Sequence, residues 1–124
     1  MANALVVDDS RAIRAILSKT LRELGFEVAQ ASNGGEALDC MLREGASIRL
    51  ALVDWNMPVM NGIDFVRKVR ARPAWQDTCL LMVTTETEIE QVMLALAAGA
   101  NEYIMKPFTA DVVRDKLRLL GVIE

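Results

Sequence analysis

Five short apolar runs rich in branched residues punctuate the chain, at Ala4 to Val7, Glu27 to Ala31, Leu50 to Val53, Cys79 to Val83 and Glu102 to Met105. They read as strands. Four are almost continuously apolar, the pattern of parallel strands covered on both faces, whereas the second is more polar and suits an edge. Between them apolar residues recur at helical spacing. Ile13, Ile16, Leu17, Leu21 and Leu24 mark one face of a helix that starts after Ser10, a suitable N-cap, and stops at Gly25. Ala37, Leu38, Met41 and Leu42 repeat the period before Gly45, and Ile63, Val66 and Val69 before Pro73. Ile89, Val92, Met93 and Leu96 do so before Gly99, and Val113, Leu117 and Leu120 before Gly121.

Strict alternation of strand and helix requires crossover connections, which place parallel strands in one sheet with helices on both faces. The expected fold class is therefore α/β, a doubly wound five-stranded parallel sheet with five helices. A length of 124 residues suits one domain, taken as residues 1–124 with no effector domain. In such folds functional groups collect beyond the carboxyl ends of the strands, at the switch point of the strand order.

Composition narrows the chemistry. A net charge of -3 and a pI near 5.0 supply no basic field for phosphate backbones, so no direct nucleic-acid partner is expected. The stretch Val92 to Ala100 falls short of the roughly 20 apolar residues that span a bilayer, and Met1 opens no signal pattern, so a cytoplasmic protein without membrane insertion is expected. Cys40 and Cys79 stand far apart without CxxC spacing and read as reduced, buried thiols. The chain has no histidine, which excludes Ser-His-Asp triads, histidine metal sites and a phosphohistidine carrier.

The residues following the strands are Asp8 and Asp9, Asp54, Thr84 and Thr85, and Lys106 with Pro107. Three convergent carboxylates repel one another, so the cluster calls for protons or a cation, and an all-oxygen set selects a hard one. Mg²⁺ suits best, since it keeps several waters, takes one or two protein carboxylates and completes its octahedron with phosphoryl oxygens. Asp54 suits a nucleophile that is ionised at neutral pH and needs no base. Lys106 could pair with a phosphoryl oxygen and Thr84 donate to another, although Thr84 or Thr85 could equally cap the next helix. Trp55 and Tyr103 could be ordinary packing aromatics, and the seven methionines read as core filler.

Taken together, Asp8-Asp9, the segment Asp54-Trp55-Asn56-Met57-Pro58 with Asn61-Gly62, Thr84 and Lys106-Pro107-Phe108 resemble, over the whole chain, the response-regulator receiver domains of two-component signalling. Within that family the chain is most similar to the stand-alone chemotaxis regulators of the CheY type. The resemblance implies a flavodoxin-like (βα)5 fold and phosphorylation of Asp54 by a partner histidine kinase. Mg²⁺, or Mn²⁺ in its place, would be held by Asp9, Asp54 and the backbone carbonyl of Asn56, with Asp8 acting through its water shell. It implies a switch in which Thr84 moves toward the phosphoryl group and Tyr103 turns inward. The readout face would be helix 4, strand 5 and helix 5, with Ile89, Val92, Tyr103, Met105 and Lys116 as partner contacts for a downstream protein. Asn56 and Glu86 would tune the lifetime of the phosphoaspartate, and the Lys106-Pro107 bond would be cis. Asn61 departs from the aspartate often found before the glycine, a change expected to affect the loop.

The domain would then be a monomeric signalling protein in chemotaxis or motility, with only self-phosphorylation and autodephosphorylation as enzymatic activity. Alternatives are a phosphate sink or another non-chemotaxis single-domain regulator, a receiver-like module that is not phosphorylated, and an aspartyl-phosphate phosphatase of the haloacid-dehalogenase kind. The last carries a second Asp two residues past its nucleophile, where this chain has Asn56.

Overall fold

The computed structural model describes residues 2–85 and 89–124, and of Ile89 the backbone alone. The strands are β1 (Ala4–Val7), β2 (Val28–Ala31), β3 (Leu50–Asp54), β4 (Cys79–Thr84) and β5 (Glu102–Met105). The helices are α1 (Arg11–Glu23), α2 (Gly34–Glu44), α3 (Gly62–Arg70), α4 (Ile89–Ala98) and α5 (Ala110–Leu119), and a short 3-10 turn occupies Pro73–Trp75. All strand pairs are parallel, in the order β2-β1-β3-β4-β5. This is the doubly wound arrangement expected from the alternation of patterns and the flavodoxin-like fold that the resemblance implied, and its switch point lies between β1 and β3.

The period-two alternation of the strands divides the interior into two layers. Leu5, Val7, Ala51, Val53, Leu80 and Met82 pack against α2, α3 and α4 through Ala37, Met41, Phe65, Val66, Val69 and Ala95. Ala4, Val6, Leu50, Leu52, Leu81, Val83 and Ile104 pack against α1 and α5 through Leu17, Leu21, Val113 and Leu117. Burial on both faces is what made the strand sequences continuously apolar.

Local signals start and stop the helices. Ser10, Asn33, Asn61 and Thr109 each accept the N–H three residues on, capping α1, α2, α3 and α5. Asn61 thus has a structural task, which the sequence left as an unexplained departure. Gly25 takes a φ of +96° just after α1, the left-handed stop expected there.

The structure corrects several expectations. The fifth strand is an edge as well as the second, and apart from the buried Ile104 its side chains are only partly covered. Cys40 is buried, but Cys79 at the start of β4 is only half-buried; both are free. Ile16, Leu42, Met93 and Leu96 lie on the solvent side, not on the core faces read from periodicity. In α4 the small Ala95 is the buried anchor, and Leu94 is exposed along with its larger neighbours. A helix apolar nearly all round has no stripe from which its inner face can be chosen.

At the end of the sheet opposite the acidic strand ends, Arg70 ties α3 to the segments entering β4 and β5. Its Nε donates to the Gly99 carbonyl (2.9 Å), Nη1 to the carbonyls of Trp75 (3.0 Å) and Gln76 (3.2 Å), and Nη2 to the Thr78 carbonyl (2.8 Å) and Asn101 Oδ1 (2.9 Å). A side chain at Gly99, which has a φ of +118°, would run into the Arg70 stem. Sequence reasoning marked Gly99 as the residue that follows the fourth helix and did not single out Arg70.

Candidate functional site

The site grows from where the strands stop. β1 ends at Val7, so Asp8 and Asp9 emerge at the switch point, Asp8 buried and Asp9 exposed. Asp8 is fixed on several sides. Its Oδ1 accepts the Ser10 N–H (2.8 Å), its carbonyl accepts Arg14 Nη1 (2.7 Å) and its Oδ2 accepts the Lys106 ammonium (2.8 Å). Asp54 is the last residue of β3, and its Oδ1 accepts the Trp55 N–H (2.9 Å) and Lys106 Nζ (3.2 Å).

Thr84, the last residue of β4, is buried, whereas Thr85 is exposed. The Thr84 carbonyl accepts the Lys106 N–H (2.8 Å), tying the fourth strand end to the residue that crosses the pocket. The Lys106-Pro107 bond is cis, as the resemblance implied. Backbone crowding holds the wall between β3 and α3. The Gly62 N–H donates to the Trp55 carbonyl (2.9 Å), and a Cβ at Gly62 would be driven into the Asp54 carbonyl oxygen. Asn56 lies exposed in the loop just after Asp54.

Carboxylate oxygens of Asp8, Asp9 and Asp54 lie within 4.8 Å of one another. Against three carboxylates the pocket sets one ammonium, that of Lys106, leaving two excess negative charges when all are ionised. A divalent cation would neutralise that excess, and the all-oxygen donor set fits a hard ion. Burial, then the charge of Asp8, pushes the Asp54 carboxyl above the ordinary carboxylate range, against the pull of Lys106. Burial lowers the Lys106 ammonium, but its hydrogen bond to Asp8 and the charges of Asp54 and Asp8 outweigh this, and it ends above its usual value. The two are raised for different reasons, Asp54 by burial and the Asp8 charge and Lys106 by its carboxylate partners, and the pull of Lys106 on Asp54 does not offset the first.

A family model described as the response regulator receiver domain matches residues 4–118. The chain belongs to that family. The chemotaxis protein CheY homolog of Campylobacter jejuni is 46% identical over 114 residues, which cover 91% of this chain and 87% of that protein. Chemotaxis protein CheY1 of Helicobacter pylori is 45% identical over 117 residues, covering 94% of each. The solved structure of Vibrio cholerae chemotaxis protein CheY4 matches with a TM-score of 0.87 at 39% identity, covering 96% of this chain and 98% of that one.

In this receiver domain the structure brings Asp8, Asp9, Asp54 and Lys106 together and sets Thr84 at the adjoining strand end. Tyr103 lies apart from them on β5, half-buried, with the Lys116 ammonium 5.0 Å from its ring centroid and Lys116 also 3.5 Å from Glu102. Val92 and Met105 are partly covered, while the side chain of Ile89, and Glu86 altogether, lie outside the described residues. Among the described residues the large exposed apolar groups of α4 are Met93, Leu94 and Leu96, none of which sequence reasoning put on the partner face. Among the described residues no helix is long and apolar enough to cross a membrane.

Proposed function

We propose that Asp54 of this receiver domain accepts a phosphoryl group from the phosphohistidine of a histidine kinase and that the change is read by a downstream protein. The observation that carries this reading is the gathering of the Asp8, Asp9 and Asp54 carboxylates around one bridging ammonium at the switch point. In the transfer, an Asp54 carboxylate oxygen forms a bond to phosphorus as the bond from phosphorus to the histidine nitrogen breaks, and that nitrogen keeps the electron pair. Catalysis of such a step is positioning and charge neutralisation. Asp9, Asp54 and the Asn56 carbonyl are the residues that would hold Mg²⁺, or Mn²⁺, with Asp8 behind them; the ion would neutralise charge on the phosphoryl oxygens. Lys106 is poised to leave Asp54 for a phosphoryl oxygen while keeping its shorter bond to Asp8, and Thr84 offers a hydroxyl from the neighbouring strand.

The output face in this reading is α4, β5 and α5, with Tyr103 and Thr84 as the moving parts and Ile89, Val92, Met105 and Lys116 as contacts. Phosphorylation biases two existing arrangements only as far as its contacts differ between them. Asn56 and Glu86 tune hydrolysis. The names of the relatives favour chemotaxis as the setting, in a cytoplasmic, monomeric protein that is a signal carrier and not an enzyme with external turnover. Incubation with Mg²⁺ and a small phosphodonor tests the proposal. The intact mass should rise by one phosphoryl group in the parent and not in Asp54→Asn; equal uptake by the variant would refute it.

A further inference from the structure

A groove runs along α3, lined by none of the acidic-pocket residues and by no residue of α4, β5 or α5. One part, about 420 Å³, is lined by Val59, Met60, Asp64, Arg67, Lys68 and Ala71. The adjoining part, about 280 Å³, is lined by Leu38, Lys68, Ala71 and Arg72. Lys68 and Ala71 line both, so the two adjoin as a channel along α3, flanked on the α2 side by Leu38. Outside this lining, Leu42 lies on α2 one helical turn from Leu38 and is 52% exposed.

Two properties distinguish this channel from ordinary surface. Its charge runs against that of the molecule: Arg67, Lys68 and Arg72 face a single acid, Asp64, in a chain of net charge -3. Asp64 is paired with Arg67 at 3.4 Å, which leaves Lys68 without an ion-pair partner among the described residues and Arg72 stacked 4.8 Å from the Trp75 ring centroid. Its rim is also held in an unfavourable shape. Val59 has a φ of +69° and the Met60 N–H donates back to the Pro58 carbonyl (2.7 Å), a γ-turn that a β-branched residue adopts at a cost. The Gly34 N–H at the start of α2 donates to the Met60 carbonyl (3.1 Å) and clasps this turn, which leaves the Val59 side chain 86% exposed at the mouth of the channel.

We infer that the α2-α3 channel is a second docking surface, and that its occupant is an acidic amphipathic segment of a partner protein. Leu38, Leu42, Val59 and Met60 would take the apolar face of a helix at i, i+4 spacing. Lys68 and Arg72 would meet the carboxylates flanking that face and set its orientation. Three cations, one already paired, are too few to hold a nucleic-acid backbone against the net negative charge of the molecule.

The test is an NMR titration of the ¹⁵N-labelled full chain with two synthetic helical peptides sharing a leucine stripe, one flanked by glutamates and the other by lysines. Expected are shifts of the Leu38, Val59, Lys68 and Arg72 amides with the acidic peptide alone, and at least a tenfold weaker response in Lys68→Glu/Arg72→Glu. These surface changes should leave the fold and phosphodonor uptake at Asp54 intact, which separates failure here from failure of the phosphoacceptor reading. The inference is overturned if neither peptide shifts these amides, if both bind equally, if charge reversal has no effect, or if the response maps to α4 and α5. It is likewise overturned if the channel closes on a second copy of the chain in sedimentation, or binds phosphatidylglycerol vesicles in place of the peptide.

Discussion

Lys106 lies closer to Asp8 (2.8 Å) than to Asp54 (3.2 Å), so the pocket's one ammonium serves first the carboxylate that is not the proposed acceptor. Opposite consequences follow for two substitutions in metal-free buffer at neutral pH. Lys106→Met strands nearly buried carboxylates and should lower stability by about 2 kcal/mol, partial solvent access keeping it below the cost of a fully buried pair. Asp54→Asn removes an under-compensated charge and should raise stability by about 1 kcal/mol. Urea denaturation in EDTA measures both, and the same sign for the two would contradict the geometry.

Gly62→Ala should disturb the site without touching a charged group. The added methyl is forced toward the Asp54 carbonyl oxygen, and either β3 or α3 must give way. A loss of about 3 kcal/mol is expected, and the Mg²⁺ affinity proposed for the site should fall in a calorimetric titration. Full retention of both would mean that the wall is softer than its contacts indicate.

Arg70 and Arg67 lie one helical turn apart but differ in what they hold. Arg70→Met removes donors from four backbone carbonyls and Asn101, and should cost about 3 kcal/mol. Arg67→Met breaks one exposed pair with Asp64 and should cost no more than about 0.5 kcal/mol. Thermal melts of the two variants compare them directly.

Ser18 is fully buried in α1, and among the described residues its hydroxyl oxygen has no hydrogen-bond partner. Ser18→Ala should therefore stabilise the protein by about 1 kcal/mol, raising the melting temperature by about 4 °C. A lower melting temperature would place an ordered water or a hidden partner at that oxygen.

Burial pushes both thiols above their ordinary value, with Glu44 adding to the effect at Cys40 and Arg70 opposing it at Cys79. Since the folded-state values are raised, the protonated thiols contribute stability that is intact below the unfolded-chain pKa and lost as pH climbs through the folded values. Denaturation midpoints should accordingly decline on the alkaline side, and Cys40→Ala/Cys79→Ala should flatten that decline. At pH 8 Ellman's reagent should react more slowly with native protein than with protein in urea; equal rates would show the thiols to be accessible.

Legibility in the sequence followed how local each signal was. β1, β3 and β4 announced themselves because burial on both faces leaves no polar position to obscure the run, and Asp8, Asp54 and Lys106 were found by reading the next residue. The direction faced by α4 was not legible, since Met93, Leu94, Ala95 and Leu96 are all apolar and only packing selects Ala95 for the interior. Arg70 was invisible for a different reason. Its partners are backbone carbonyls, which no side-chain pattern encodes. Asn61 could have been found, because a side-chain acceptor three residues before Asp64 at a helix start is a capping signal; it was passed over by comparison with aspartate, which caps equally well.

The bond between Lys106 and Asp54 joins residues 52 positions apart, and this separation gives the pocket a birth time. At about 5–20 residues per second, a ribosome adds the lysine roughly 3–10 s after the acid it must face. Until then the nascent chain carries the three aspartates without their counter-charge and without the final strand that aligns it. In the proposed phosphoacceptor role, a nascent chain that stops short of Lys106 cannot intercept phosphoryl groups intended for finished molecules, and the capacity to carry a signal begins only once Lys106 has joined the three aspartates.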